Sequence, residues 1–231
     1  MCGRYSLTSP LDDLVETFEV SEIALGEHRP RYNIAPTQDA PVLVLGPAGV
    51  RLGALRWGLV PFWAEDPRIG NRMINARSES VSTTPAFREA FQTRRCLVPA
   101  DGFFEWTTRA ATAKGPKDPW WIHRPDRTPF SFAGLWSRWR SPEGERLHTF
   151  TILTTRANER LRPLHDRMPV VIQQADRHAW LSAETDLPRV HGLLAPAPET
   201  FFDAWPVSRA VNSPEVDEPI CVLPLLDEAG S

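Results

Sequence analysis

The residue with the most distinctive chemistry is Cys2, which follows Met1. Methionine is removed when its neighbour is small, and the chain then begins with a cysteine that carries a free α-amine and a thiol. An α-amine has a pKa of about 7.7 to 8.0, against about 10.4 for lysine, so far more of it is unprotonated at neutral pH. Such an amine attacks an aldehyde, and the thiol then closes the imine into a thiazolidine. Cys2 is therefore a candidate carbonyl trap; the alternative is a small residue merely tolerated at position 2.

Polar side chains recur at alternate positions in the segment 73–79. If the chain is extended there, Asn75, Arg77 and Glu79 lie on one side, because strand side chains alternate. An amide donates hydrogen bonds to a carbonyl or hydroxyl, and a guanidinium binds phosphate. The segment is a candidate pocket lining; the alternative is an ordinary polar strand edge at the surface.

Glu105 is a single acid among bulky aromatic residues in the run 102–106. A carboxylate held in apolar surroundings loses solvation, which raises its pKa toward the range useful for proton transfer. Glu105 is thus a candidate general acid or base. The alternative is a strand-end carboxylate paired with one of the many arginines.

His165 lies in a turn bracketed by Pro163 and Pro169, just before an apolar run. Histidine titrates near neutral pH and can move a proton at an aldehyde or imine. The alternative is a structural histidine. We interpret the remaining histidines as structural or exposed; they are His28, His123, His148, His178 and His191.

The run 57–63 carries Trp57, Phe62 and Trp63 beside a turn. Their flat apolar faces can stack on bases or wedge between them. The alternative, which holds for most tryptophans, is that these rings belong to the core.

Strand-like runs dominate the elements that must position these residues, and helix signals are few. Ser9-Pro10 and Thr84-Pro85 each open a helical segment. Short helices are also expected at 156–162 and 175–182. The pattern predicts one α+β domain built on a curved, mainly antiparallel, partly closed sheet with short flanking helices. The strands are expected at 41–45, 51–60, 95–99, 102–107, 119–123, 130–137, 147–155 and 169–173.

Charge is unevenly distributed along the 231 residues, although the net charge is only −3. Residues 1–175 hold 23 Lys+Arg and 19 Asp+Glu, a balance of +4, whereas 176–231 hold 3 and 10, a balance of −7. The basic part suits an anionic partner, and arginine's planar fork binds phosphate in a bidentate manner. A GC-rich genome would also favour arginine over lysine. The acidic tail 213–231 is either loosely attached or packed on the domain.

The three cysteines Cys2, Cys96 and Cys221 have neither disulfide nor metal-ligand spacing. The sequence has no apolar run of about 18 residues and no signal-peptide pattern. We therefore expect a cytoplasmic protein. No cofactor, metal or membrane partner is expected.

Six motifs in one order resemble the SOS response-associated peptidase (SRAP) family, whose members cap abasic sites in single-stranded DNA. Each motif is weak alone, but together with a cysteine at position 2 they are specific, and they extend to about residue 212. The motifs are MCGRY at 1–5, RYNIAPT at 31–37, RWGLVP at 56–61, NARSE at 75–79, CLVP at 96–99 with GFFEW at 102–106, and LHDRMP at 164–169.

The resemblance implies a SRAP domain over 2–212 that acts as a monomer on single-stranded DNA containing abasic sites. A cytoplasmic protein of this kind would be associated with the nucleoid when bound to DNA. It implies that Cys2 is the crosslinking nucleophile and that Asn75, Glu105 and His165 complete the active site. It also implies autocatalytic or host-mediated removal of Met1 and an associated AP-lyase activity. The DNA-binding residues expected from the resemblance and from the residue chemistry are Arg4, Asn33, Trp57, Phe62, Trp63, Arg77, Trp106 and Arg162.

Two other function classes remain open from the sequence. One is a cysteine peptidase that uses Cys2 with Glu105 and His165, for which no oxyanion hole or peptide groove is recognisable. The other is a non-covalent reader of nucleic acid in which Cys2 is incidental. Only the covalent hypothesis predicts a DNA complex that survives denaturation.

Overall fold

The computed structural model describes residues 2–108 and 117–225, and strands make up most of its regular structure. The strands in chain order are β1 Tyr5–Leu7, β2 Val20–Ala24, β3 Arg31–Ile34, β4 Asp39–Gly46, β5 Gly49–Trp57, β6 Asn75–Arg77, β7 Arg95–Ala100, β8 Gly102–Thr108, β9 Lys117–His123, β10 Phe130–Arg140, β11 Arg146–Arg156, β12 Arg167–Pro169 and β13 Asp203–Pro206. The α-helices are α1 Leu11–Thr17, α2 Arg88–Thr93, α3 Arg177–Leu181 and α4 Leu187–Gly192. Short 3₁₀ turns occur at Pro67–Arg72, Gln174–Asp176, Arg209–Asn212 and Pro219–Cys221.

The strands form two sheets, and the larger sheet closes on itself. The smaller sheet has the order β13-β9-β8-β1-β3, and its described pairings are antiparallel. The larger has the order β12-β11-β10-β7-β4-β5-β2, with β6 beside β11. β11 also pairs with β5 in parallel, at Thr149 opposite Arg56 and Phe150 opposite Trp57. The strands β11, β10, β7, β4 and β5 therefore form a closed ring, which confirms the predicted α+β domain with a curved, mainly antiparallel sheet.

Aromatic side chains fill the space between the sheets. The Tyr5 ring on β1 meets Trp57 edge-on, with ring centroids 5.2 Å apart, and Phe132 with centroids 6.0 Å apart. Phe103 on β8 meets Phe132 in the same manner. Each such edge-to-face pair adds about 0.5 to 1.5 kcal/mol beyond the burial of its area. Because Tyr5 belongs to the β1 that follows Cys2, this packing fixes the start of the chain against the core.

Two helix predictions agree with the structure, and the predicted helix at 156–162 is wrong. α1 begins directly after Pro10, and α2 follows the turn that opens at Thr84. Residues 159–164 instead form turns. Their backbone N–H groups bind side chains: those of residues 159 and 160 donate to Glu199, at 3.1 and 2.8 Å, and that of Leu161 donates to Asn158 at 3.0 Å. In a helix over 156–162 the N–H groups of residues 160 and 161 would bond to the backbone oxygens of residues 156 and 157; instead the helical bond present within this described segment is the one from Arg162 to Asn158 at 3.0 Å.

The region around 175–182 is helical, although it divides into the 3₁₀ turn Gln174–Asp176 and α3. α4 was not predicted. The strand expected at 169–173 is displaced: β12 ends at Pro169, and Val171 forms only an isolated bridge with Phe132.

The acidic segment after residue 212 packs on the smaller sheet as far as residue 225. The Asp217 carboxylate accepts hydrogen bonds from the backbone N–H groups of Tyr32 at 2.6 Å and Asn33 at 2.8 Å, and it pairs with Arg31. Cys221 is completely buried. Of the two alternatives for the tail, packing on the domain therefore holds for 213–225; residues 226–231 lie outside the described residues.

None of the helices in the described ranges is long and apolar enough to span a bilayer.

Candidate active site

Cys2 lies immediately before β1 and is completely buried. Its Sγ lies 3.7 Å from the backbone oxygen of Arg4. Burial, and after it the negative charge of Glu105, raises the pKa of the thiol. The thiol is therefore protonated at neutral pH, and a protonated thiol is a poor nucleophile. This environment favours first attack by an amine, with the thiol reacting in a later step.

Asn75 connects β6 to the start of the chain. β6 is short, and its place is fixed by parallel pairing with β11, in which Asn75 lies opposite Ile152. The side-chain N–H of Asn75 donates to the backbone oxygen of Cys2 at 2.8 Å. Its buried Oδ1 has no hydrogen-bond partner in the described part of the protein. That oxygen can accept a hydrogen bond from a ligand or from a freed amine, so Asn75 can hold both the nucleophile and its target.

Glu105 lies on β8 with only 3% of its surface exposed. β8 pairs with β1, with Phe103 opposite Tyr5, and this register brings Glu105 toward the start of the chain. Burial raises the pKa of its carboxyl above the ordinary value, while the charge of His165 acts in the opposite direction. Strand alternation puts Glu105 on the same face as the buried Phe103. The structure thus places Glu105 in a buried position beside His165, and burial gives its carboxyl the raised pKa expected of a proton donor.

His165 is held in the turn before β12. Its Nδ1 accepts a hydrogen bond from the backbone N–H of Arg167 at 2.9 Å, and a carboxylate oxygen of Asp166 is also 2.9 Å away. Accepting at Nδ1 requires that the neutral ring carry its proton on Nε2. In the protonated ring, Nδ1–H can donate to Asp166 instead. Both arrangements leave the proton of Nε2 in place as a hydrogen-bond donor.

A bidentate ion pair joins the two segments that carry Asn75 and His165. The guanidinium of Arg167 donates to the two carboxylate oxygens of Glu79, at 2.6 and 2.9 Å, and also to the backbone oxygen of Thr154 at 2.6 Å. Hydrogen bonding to Arg167 lowers the pKa of Glu79 to about 2. Sequence reasoning singled out Glu79 but missed Arg167, whose only signal was its place in the LHDRMP motif.

Phe62 and Trp63 are exposed on a loop that the β10–β11 hairpin supports. Their exposed fractions are 60% and 50%. The indole N–H of Trp139 donates to the backbone oxygen of Ala64 at 2.6 Å. The loop begins at Gly58, whose φ of +122° and close approach to the backbone of the facing 3₁₀ turn both require glycine. These two rings are available to stack on bases, as expected from the sequence.

Trp57 has a different place from the one expected. Its ring is completely buried, stacks on Phe150 with centroids 6.2 Å apart, and donates its N–H to the backbone oxygen of Ile74 at 2.8 Å. A DNA strand at the surface cannot stack on it. Trp57 is therefore a core residue, as in the alternative weighed for the run 57–63.

Asn33 is also completely buried and binds the protein itself. Its side-chain N–H group donates to the backbone oxygens of Val211, Ser213 and Val216, at 3.1, 2.9 and 2.7 Å. Its Oδ1 accepts from the guanidinium of Arg4 at 2.8 Å. Asn33 thus positions Arg4 and the segment after residue 210. Arg4 is half-buried, and burial lowers its pKa.

The remaining members of the expected DNA-binding set reach the surface. Arg77 is exposed on β6, next to Asn75 along the same face. Trp106 is half-buried and donates its indole N–H to the side-chain oxygen of Asn212 at 2.7 Å. Arg162 is exposed and pairs with Glu159 at 2.7 Å.

A comparison with protein families finds one match that covers nearly the whole chain. The family model described as SOS response associated peptidase (SRAP) matches residues 1–214.

Curated relatives match over most of their own length. The protein YoqW of Bacillus subtilis, named an abasic site processing protein, is 41% identical over 221 residues, which are 95% of this chain and 97% of the relative. YedK of Escherichia coli, with the same description, is 30% identical over 219 residues, 92% of this chain and 95% of the relative. HMCES of Gallus gallus, also an abasic site processing protein, is 32% identical over 87% of this chain and 68% of the relative.

Solved structures share the fold. A protein from Bacteroides thetaiotaomicron aligns with a TM-score of 0.85 at 26% identity, over 97% of this chain and all of that one. A phage-related protein from Bordetella bronchiseptica aligns with a TM-score of 0.70 at 32% identity, over 90% of this chain and 95% of that one.

Proposed function

Because this chain belongs to the SOS response associated peptidase (SRAP) family, we propose that it captures abasic sites in single-stranded DNA as a covalent adduct of Cys2. Relatives that align over nearly the whole chain are named abasic site processing proteins. The observation that carries the proposal is the 2.8 Å hydrogen bond from Asn75 to the Cys2 carbonyl. It holds the start of the chain beside the carboxyl of Glu105.

The reaction begins after Met1 is removed, by the protein itself or by a host enzyme. The Cys2 α-amine attacks the aldehyde carbon of the ring-opened abasic sugar and forms a carbinolamine. Glu105, whose pKa burial raises, donates a proton to the departing hydroxyl, which leaves as water; the nitrogen then returns its proton to the Glu105 carboxylate and gives an imine. The Cys2 sulfur then bonds to the imine carbon while the thiol proton passes to the nitrogen, and the product is a thiazolidine.

His165 acts on the sugar in this mechanism. In the protonated ring, in which Nδ1–H donates to Asp166, Nε2–H can give its proton to the ring oxygen and so assist ring opening, which leaves the neutral imidazole. At the imine stage, loss of a proton from the carbon next to C1′ would expel the 3′ phosphate by β-elimination. A slow strand cleavage, increased when thiazolidine closure is blocked, is therefore part of the proposal.

The strand is held mainly by its phosphates and by stacking. We assign phosphate contacts to Arg77 and Arg162 and stacking to Phe62, Trp63 and Trp106, because each of these side chains is at least partly exposed. Arg4 contributes through the guanidinium N–H groups that are not used in its hydrogen bonds to Asn33 and to the backbone oxygen of Val211. Binding of this type depends on salt and is largely indifferent to sequence. We expect one monomer per lesion.

The test mixes purified protein, shown by intact mass to lack Met1, with a single-stranded oligonucleotide that carries one abasic site. We expect a shifted band on a denaturing gel with wild-type protein and none with Cys2→Ala. A control oligonucleotide with a reduced, aldehyde-free abasic site should also give no band. A Cys2→Ala variant that crosslinks at full yield would refute the proposal, and binding without a covalent band would favour the non-covalent reader.

The peptidase alternative requires a reactive thiolate. Burial and the Glu105 charge raise the pKa of the Cys2 thiol, which weighs against a cysteine peptidase at neutral pH. Cys2-dependent turnover of an unrelated peptide would favour that alternative.

A further inference from the structure

A cationic groove lies between the β4–β5 hairpin and the β10–β11 hairpin, and the proposed reaction uses none of its residues. Its volume is about 400 Å³. Apolar side chains of β4 form one wall, and cationic and aromatic side chains of β5, β10 and β11 form the other. Those that matter for the argument are Val44, Leu45, Arg51, Trp136, Arg138 and His148.

Two arginines face each other across the β10–β11 hairpin, and a third faces a histidine. Arg138 lies directly opposite His148, and Arg140 lies directly opposite Arg146. Residues opposite each other in an antiparallel pair share a face, and like charges there are destabilising. Within 2–108 and 117–225, no carboxylate forms an ion pair with Arg138, Arg140 or Arg146. These three arginines therefore lack an ion-pair partner in the described residues, although Glu143 and Glu145 lie in the connection between the two strands.

His148 responds to this charge. Burial, and then the positive charges of Arg138, Arg146 and Arg51, lower the pKa of its imidazole. Arg51 is itself only partly neutralised, by Glu22 at 3.2 Å, and both side chains are about half exposed. The groove thus has a positive potential that an anion would relieve.

An aromatic ring lies among these cations. The Arg138 guanidinium stacks over Trp136, 4.9 Å from the ring centroid, and the ring of His148 meets Trp136 edge-on at 6.3 Å. Trp136 is half-buried. A half-exposed ring flanked by arginines is the combination that binds single-stranded nucleic acid, in which bases stack and phosphates pair with cations.

The groove is within reach of a strand bound at the active site. His148 precedes Ile152 by four positions on β11, and Ile152 is paired with Asn75. Four residues of a strand span about 13 Å. This separation is within the length of a few nucleotides, although β11 is buried between the two places, so a bound strand would have to follow the surface around it.

We propose that this groove binds the phosphate backbone of the captured DNA strand on the stretch beyond the abasic site. The identity of the ligand rests on the proposed function. Arg138 lines the groove, and Arg146 lies beside it on the same face of the hairpin, two positions from His148; these two arginines supply the phosphate contacts, and Trp136 supplies a stacking surface. The groove extends the footprint on DNA and does not take part in the bond-forming steps.

The test measures binding of a lesion-free, fluorescently labelled 30-nucleotide single strand by anisotropy, over a series of salt concentrations. Arg138→Gln and Arg146→Gln are compared with Arg189→Gln, which removes the same charge from an exposed position on α4. We expect roughly threefold to tenfold weaker binding for each groove variant, and a salt slope smaller by about 0.7 for each phosphate that the variant no longer neutralises. The control should match wild type, and all variants should have wild-type melting temperatures.

A second measurement separates this groove from the lesion site. A pentanucleotide with a central abasic site is too short to fill the groove, so both groove variants should crosslink it at the wild-type rate. Two results for the groove variants would overturn the proposal. One is that they bind the 30-mer as tightly as the control variant does. The other is that they slow crosslinking of the pentanucleotide as much as they weaken binding of the 30-mer. The proposal would also be overturned if polyglutamate displaced the labelled strand as efficiently as unlabelled DNA of equal charge does. Wild-type protein that fails to crosslink the pentanucleotide would instead refute the proposed function.

Discussion

The ion pair between Glu79 and Arg167 should stabilise the active site, and Glu79→Gln tests this. Arg167 is 11% exposed and Glu79 is 46% exposed. A pKa of about 2 for Glu79, against an ordinary value of 4.5, sets an upper bound of about 3.4 kcal/mol at about 1.36 kcal/mol per unit. Because solvent screens the half-exposed carboxylate, we expect about 1 to 2 kcal/mol.

The assay is urea unfolding at pH 7 and at pH 3.5. The pKa of Glu79 is lower in the folded state, so its contribution is complete above about pH 4.5 and is lost as the pH falls toward 2. Glu79→Gln should therefore lower the free energy of unfolding by about 1 to 2 kcal/mol at pH 7 and by less at pH 3.5. At neutral pH the melting temperature should fall by about 2 to 8 °C.

The matched control is Glu159→Gln, which removes the carboxylate paired with Arg162. Those two side chains are 72% and 62% exposed, so the change should cost about 0 to 0.5 kcal/mol. Glu79→Gln should also slow His165-dependent strand cleavage, because Arg167 holds His165 through its backbone N–H. A Glu79→Gln variant as stable as the control at pH 7, or a stability difference that does not shrink at pH 3.5, would refute the reasoning.

Three further predictions concern single residues. Glu105→Gln should slow crosslinking on the order of a hundredfold. It should also remove the pH dependence of the rate that is due to this carboxyl, whose pKa is raised by burial. An unchanged pH–rate profile in single-turnover gels would contradict the role of Glu105 as a proton donor. His123 is buried between Trp121 and Trp205, and burial lowers its pKa, so its contribution to stability is complete above about pH 6.5 and falls below it. His123→Phe should therefore lose less stability than wild type between pH 7.5 and 5.5 in thermal melts, and equal losses would count against this. Asn33→Ala removes three hydrogen bonds to backbone oxygens and should lower the free energy of unfolding by about 2 to 4 kcal/mol in urea titrations. If the variant instead changed only the affinity for DNA, Asn33 would be a DNA-binding residue, as expected from the sequence.

The sequence was sufficient for the parts of the site that depend on residue type. A cysteine at position 2 defines an aminothiol once Met1 is removed, whatever the fold. Asn75, Glu105 and His165 lie in short motifs whose resemblance to one family predicts the site. In the structure Asn75 is hydrogen-bonded to Cys2, and the charge of His165 acts on Glu105. Local signals also placed α1 correctly, because a proline and a helical apolar spacing act within a few residues.

Tertiary structure decided what depends on distant partners. The ring closes through parallel pairing of β5 with β11, about 90 residues apart, and no local pattern sets that register. The same pairing buries Trp57, which the sequence left open between a stacking surface and the core. Residues 156–162 have a plausible helical composition, yet Asn158 and Glu199 bind the N–H groups that a helix would need. Composition fixes which groups a chain offers, but burial and hydrogen-bond partners contributed by remote segments fix where those groups lie.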